Sequence, residues 1–224
     1  WNRSLPSEIL ELTNRETDLN GRQNIRVVNG DMVDDTGKRV KLWGAAIRLT
    51  NNLLSSPSKD KKQLINTMKN LGFNEIRFNG LDFNDPGIYK EWHKTGTFNK
   101  KKMGAVCELI EYARDKGMSY TLSVNHITSK FIPSKSLSLN KHSNKNKRLK
   151  QIQFYDDAII EQTKKWFSAL LSEKHNGCRY AFSNDPNLYY LNIVNEDSVF
   201  QGYAENFRHL TKKNIEMLEH RFYD

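Results

Sequence analysis

This 224-residue sequence predicts an α/β fold with a parallel sheet, on three observations. Apolar, β-branched or aromatic runs recur at strand length, segments of helical period lie between them, and glycine or proline punctuates the joins. The fullest run is Leu188 to Val194, which follows the turn chemistry of Asp185-Pro186 and is expected to be buried on both faces. It ends by pushing a carboxamide and a carboxylate, Asn195 and Glu196, out of its C-terminal edge. In parallel α/β folds the loops leaving that edge build the pocket.

Taken in order, residues 1–24 read as a lead-in and residues 25–224 as the folded part. Ile25 to Val28 and Arg39 to Leu42 flank Asn29-Gly30-Asp31 and Asp34-Asp35-Thr36-Gly37, which favour turns and predict a hairpin. Lys41 to Ile47 is the first buried strand. Ser58 is placed to cap a helix carrying Leu64, Ile65, Met68 and Leu71, and Gly72 stops it. Phe73 to Phe78 is the second strand. Asn99 is placed to cap a helix with Met103, Val106, Ile110 and Ala113 on one face, ended by Gly117. Met118 to Val124 is the third strand and leads into Asn125-His126. Asp156 or Asp157 opens a helix with Ile159, Trp166 and Leu170, ahead of the Leu188 to Val194 strand. Phe207 to Phe222 marks a last helix.

Strand–helix repetition with right-handed crossovers gives a parallel architecture. Four such units make half of an eight-stranded (β/α)8 barrel, and a whole one takes about 250 residues before insertions. The expectation is therefore the N-terminal portion of a TIM barrel, preceded by a β-hairpin. The chain opens on Trp1 with no secretory series, which reads as a processed or excised chain.

Composition narrows the function classes. The net charge of +9 would suit nucleic acid, but much of the excess lies in Lys130 to Lys150 among serines and asparagines. Aromatic interleaving for stacking bases is absent there, so a solvated loop is expected and a nucleic-acid partner is not. No run is long enough to span a bilayer, so no membrane partner is expected. The six histidines show neither HExxH nor paired spacing, and no glycine-rich strand-to-helix turn is present. Neither a metal nor a cofactor is expected. Cys107 and Cys178 lie far apart and are read as ordinary residues.

Several stretches then resemble one family. Val28 to Val40 with Leu42-Trp43-Gly44 resembles the opening of a clan A glycoside hydrolase barrel, close to family five, the cellulase family. Leu71-Gly72-Phe73-Asn74-Glu75-Ile76-Arg77 resembles that family's second strand with its arginine. Asn195-Glu196 resembles the fourth-strand motif whose glutamate is the general acid/base. The series from Phe154-Tyr155-Asp156-Asp157 through His175-Asn176 and Arg179-Tyr180 to Asn195-Glu196-Asp197-Ser198 is similar to a group of bacterial cellulase-like proteins. The resemblance covers about Ile25 to Tyr203. It implies a retaining hydrolase of poly- or oligosaccharides, extracellular or periplasmic, with its nucleophile on a seventh strand and its aromatic platform on an eighth. Where related proteins commonly carry His-His after the second strand, this chain has Asn79-Gly80, which alters the subsites there.

The residue types suit that chemistry on physical grounds. Glycosidic cleavage needs an acid to protonate the leaving oxygen and a carboxylate facing the oxocarbenium-like centre. Glu196, held at a strand end, suits the acid/base role, and Asn195 suits a hydrogen bond to the sugar 2-hydroxyl. Arg77 would lie under the second carboxylate and keep it ionised, or else pair with any acid at the core edge. His126 would bind a sugar hydroxyl or sit satisfied in its loop. Trp43, Trp92, Tyr89 and Phe131 suit either sugar stacking or core and rim packing. The expected partners are a carbohydrate substrate and either another copy or a missing C-terminal half. A catalytically inactive carbohydrate-binding or structural half-barrel is the alternative.

Overall fold

In the computed structural model the described residues are 26–34, 36–124, 157–195 and 212–223. The chain divides into two compact units, the first made of residues 1–79, 100–122 and 174–191 and the second of the remainder.

The first unit opens with a two-stranded antiparallel hairpin, β1 (Arg26–Val28) and β2 (Asp31–Val33), with Val28 opposite Asp31. Asn29 and Gly30 turn it with φ of 51° and 85°, the positive angles a two-residue hairpin turn requires. Asp34 then organises the next turn, its Oδ1 accepting from the amides of Thr36 and Lys38 at 2.9 and 3.0 Å.

A four-stranded parallel sheet follows in the order β3 (Gly44–Arg48), β4 (Glu75–Asn79), β5 (Ser119–Ser123), β6 (Leu188–Asn192). Ala46 pairs with Arg77, and Arg77 with Thr121. Alternation along the strands sorts the side chains into two rows. Ile47, Ile76, Phe78, Tyr120 and Leu122 are buried on one face. Gly44, Ala46 and Arg48, with Glu75, Arg77 and Asn79, share the other, and β3 and β4 are more open on that side.

Helices α1 (Asn51–Ser55), α2 (Ser58–Asn70) and α4 (Lys100–Asp115) belong to this unit, and α1 and α2 both lie against α4. Ile65 and Met68 of α2 and Val106 and Ile110 of α4 are buried, as the helical spacing predicts. Lys61 is buried as well, and it is satisfied by Glu108 at 3.0 Å and by the Ser56 carbonyl at 2.7 Å. Burial would raise the Glu108 pKa, but hydrogen bonds from Ser58 and Lys61 outweigh that and hold it below the ordinary value. Ser58 is thus inside the first turn, and Pro57 takes the cap position expected for it.

The second unit holds α3 (Ile88–Thr95), α5 (Asp157–Ser172) and α6 (Lys212–Tyr223). Left-handed Gly87 and Gly96 bracket α3. Neither α3 nor the short α1 was evident from periodicity, because eight and five residues give too few turns to show a stripe.

Two expectations need correcting. The Leu188 strand is not buried on both faces: Tyr190 is 58% exposed, and Ile193 and Val194 beyond the strand are open. The reason is its place at the end of the strand order, with no neighbour beyond it among the described residues. Cys107 and Cys178 are not ordinary residues but a disulfide, with Cα atoms 5.0 Å apart across 71 positions of sequence. Only the third dimension brings them together.

Candidate active site

Four strands run the same way, so residues leaving their C-terminal ends are the ones a pocket would use. Asn195 lies three residues past the end of β6 and is 8% exposed. Its Oδ1 accepts a hydrogen bond of 3.3 Å from Asn192 Nδ2. Asn192 is tied in turn to the end of β5, its carbonyl accepting from the Val124 amide at 3.1 Å. The residue expected to hold a sugar hydroxyl is therefore buried and oriented by its own strand end. Glu196, the expected acid/base, is next in the chain and lies outside the described residues, as do His126, Phe131 and Asp197.

Arg77 sits in the middle of β4, in register with Ala46 and Thr121. Its row carries a second ionisable group that sequence reasoning passed over. Glu75 is two residues earlier on the same face, where burial raises its pKa while a hydrogen bond with Thr121 and the Arg77 charge pull it down. Its Oε1 is buried without a hydrogen bond among the described residues. A Cβ on Gly44 of the neighbouring strand would fall 1.9 Å from Glu75 Oε2, so glycine is what leaves room for this carboxyl. The signal was available as the period-two series Glu75, Arg77, Asn79 inside an otherwise apolar strand. Tyr189 of β6 feels the same group: burial, and then the Glu75 charge, raise its pKa. Its hydroxyl donates to Met32 Sδ of the hairpin at 2.6 Å.

Trp43 is elsewhere. It precedes β3, at the edge where the strands begin, and is 65% exposed with its ring stacked on Phe73 at 6.0 Å. Asn74 holds its backbone on both sides, Oδ1 accepting from the Trp43 amide at 2.8 Å and the Asn74 amide donating to the Trp43 carbonyl at 3.0 Å. The structure therefore places Trp43 at the N-terminal edge of its sheet.

In the second unit the candidates Tyr89 and Trp92 are packed together. Tyr89 is buried edge-on to Trp166 at 5.0 Å, and Trp92 and Phe98 lie against Trp166 at 5.3 and 5.5 Å. Burial pushes the Tyr89 pKa up to about 12, with the charge of Asp82 adding to it. Trp166 Nε1 donates to the Val124 carbonyl at 3.1 Å, so this cluster also steadies the chain as it leaves β5. Packing, rather than an open stacking face, is the role the geometry gives Tyr89.

No family model and no curated protein sequence matches the chain. Among solved structures, the chain is similar to an endo-1,4-beta-mannanase from Rhizomucor miehei, with a TM-score of 0.53 and 16% identity. That likeness covers 77% of this chain and 48% of the mannanase. A GH5_18 protein from Bifidobacterium longum subsp. infantis aligns at a TM-score of 0.41 and 16% identity, over 67% of this chain and 32% of that one. The chain thus spans about half the length of the first and a third of the second. At such identity the likeness bears on fold alone: this is an α/β chain of the TIM-barrel type, with a fold like that of part of the mannanase.

Proposed function

We propose that this chain is the acid/base-bearing portion of a retaining glycoside hydrolase acting on a poly- or oligosaccharide. The observation that carries the reading is the position of Asn195, buried just past the end of β6, with Glu196 following it directly. The mannanase-like fold supports the same reading and makes a β-1,4-linked mannan the first polymer to try.

In this reading Glu196 protonates the leaving glycosidic oxygen and later deprotonates the attacking water. Asn195 holds the 2-hydroxyl, where a hydrogen bond strengthens as the oxocarbenium character develops. Arg77 keeps the second carboxylate ionised, and His126 binds a sugar hydroxyl. Any sugar contact by Trp43 belongs to the N-terminal edge of its sheet. The second carboxylate, needed about 5 Å from the first in a retaining site, would come from strands beyond these four. The chain by itself is therefore expected to bind sugar without turning it over.

The test compares two proteins. Residues 1–224 are assayed on aryl glycosides and on mannan and glucan polymers, and no turnover is expected. In a polypeptide that also supplies the further strands, Glu196→Gln should lower kcat about a hundredfold to ten-thousandfold. Aryl glycosides with activated leaving groups, which need least protonation, should suffer least. Wild-type rates in the Glu196→Gln enzyme on natural polymer would sink the assignment. Sugar binding with no turnover even in the longer polypeptide would favour an inactive carbohydrate-binding module instead.

A further inference from the structure

The chain contains two cysteines and the fold joins them, both buried, with Cys107 on α4 and Cys178 in the stretch between α5 and β6. That stretch, residues 174–187, is anchored to α4 at more than the sulfurs. The Arg179 guanidinium meets Glu111 at 3.0 Å and Asp115 at 2.5 Å, and the Arg179 amide donates to Glu111 Oε1 at 2.8 Å. Asp185 receives the Arg114 guanidinium and, at 2.7 Å, the Tyr120 hydroxyl. Gly177, at a φ of 87°, lies beside α4, where an added Cβ would be in ordinary contact with Cys107 Cβ at 3.6 Å and the Gly104 carbonyl oxygen at 3.8 Å. The chain then passes directly into β6, with the Leu188 amide donating to the Asp185 carbonyl at 3.1 Å.

We propose that Cys107–Cys178 is a permanent structural tie that locks the approach to β6 onto α4, and that the protein matures in an oxidising compartment. Burial supports permanence, since exchange requires a thiolate to reach one of the sulfurs and both cysteines are covered. Disulfides in reducing compartments are mostly transient and catalytic, which calls for an accessible bond. Forming this one takes a proton from each thiol and passes one electron pair to the disulfide of an oxidising carrier, which leaves as its dithiol. The inference stands whether or not the chain acts on sugars, because it concerns the scaffold beneath β6.

The experiment uses the full chain refolded in a glutathione redox buffer. A tryptic map made without reductant should contain Met103–Arg114 linked to His175–Arg179, and reductant should separate them. Protein unfolded in reductant and refolded with both thiols free should melt about 10 °C or more below the linked protein. Hydrogen exchange should speed up at the Asn187 and Leu188 amides while α2 stays protected. Two free thiols after oxidative refolding would overturn the proposal, and so would a linked protein whose Tm and exchange ignore reduction. If Cys107→Ala/Cys178→Ala does not fold, the reduced wild type decides: an unchanged melt refutes the tie, and a lost or lowered one supports it. For the compartment, thiols are trapped in cells making the chain with and without an export signal. Linkage only on export is the expected result, and equal linkage in a reducing cytosol would defeat that half of the proposal.

Discussion

At Glu75, burial and the nearby Arg77 charge oppose one another, and burial prevails, leaving the pKa above its ordinary 4.5. The folded state then holds this proton more tightly than the unfolded one. Below 4.5 both states are protonated and no cost arises. As pH rises through 4.5 the unfolded chain ionises first and stability falls, until the folded carboxyl ionises too. Glu75→Gln cannot ionise, so it should gain stability relative to wild type as pH climbs through that window. Urea unfolding at a series of pH values measures this, and parallel stability profiles would contradict it. Gly44 gives a second, structural check at the same place. Gly44→Ala should cost about 1 kcal/mol with Glu75 present, because the new methyl displaces a half-buried carboxyl. In a Glu75→Ala background most of that cost should vanish, and simple additivity of the two losses would rule out the contact.

At the level of elements, the stretch before β6 shows what tertiary contacts add. Asp185 is buried and serves both Arg114 and Tyr120 of neighbouring elements. Asp185→Ala removes one of the two carboxylates that meet the Arg114 guanidinium, Glu111 remaining, and takes the acceptor from the buried Tyr120 hydroxyl, so it should cost about 2 to 3 kcal/mol. Tyr120→Phe removes one hydrogen bond and should cost about 1 kcal/mol. Denaturant titrations that returned equal losses would mean the charge has no special weight. The disulfide should contribute about 4 kcal/mol by restricting the unfolded chain across its 71-position separation. Asp185-Pro186 was legible beforehand as a turn, because proline's fixed φ is a local property. The carboxylate's partners, 65 and 71 positions away, were not.

Across the whole molecule, the exposed ends of the strand order have a consequence. β3 and β6 have no strand beyond them among the described residues, and Tyr190 stands open on β6. Unpaired strand edges are templates for another chain, and exposed apolar surface adds roughly 25 cal/mol per Å² once covered. Residues 1–224 should therefore weigh more in solution than the 26.2 kDa monomer. Light scattering across a dilution series measures this. A monomer stable at high concentration would show that the edges are capped within the chain.

What the sequence determined by itself was the kind and order of its longer elements. A period of two in Glu75–Asn79, a period near 3.6 in Lys100–Asp115 and the Asn29-Gly30 turn are local patterns, and burial acts on them wherever the chain later goes. Asn195 at a strand end was legible for the same reason. The tertiary structure alone decided which strands lie side by side, and so which are edges and which row Glu75 and Arg77 share. It alone paired Cys107 with Cys178, sent Trp43 to the starting edge of the sheet and packed Tyr89 against Trp166. Each of these depends on a distance between residues remote in sequence, and a one-dimensional pattern carries no such distance.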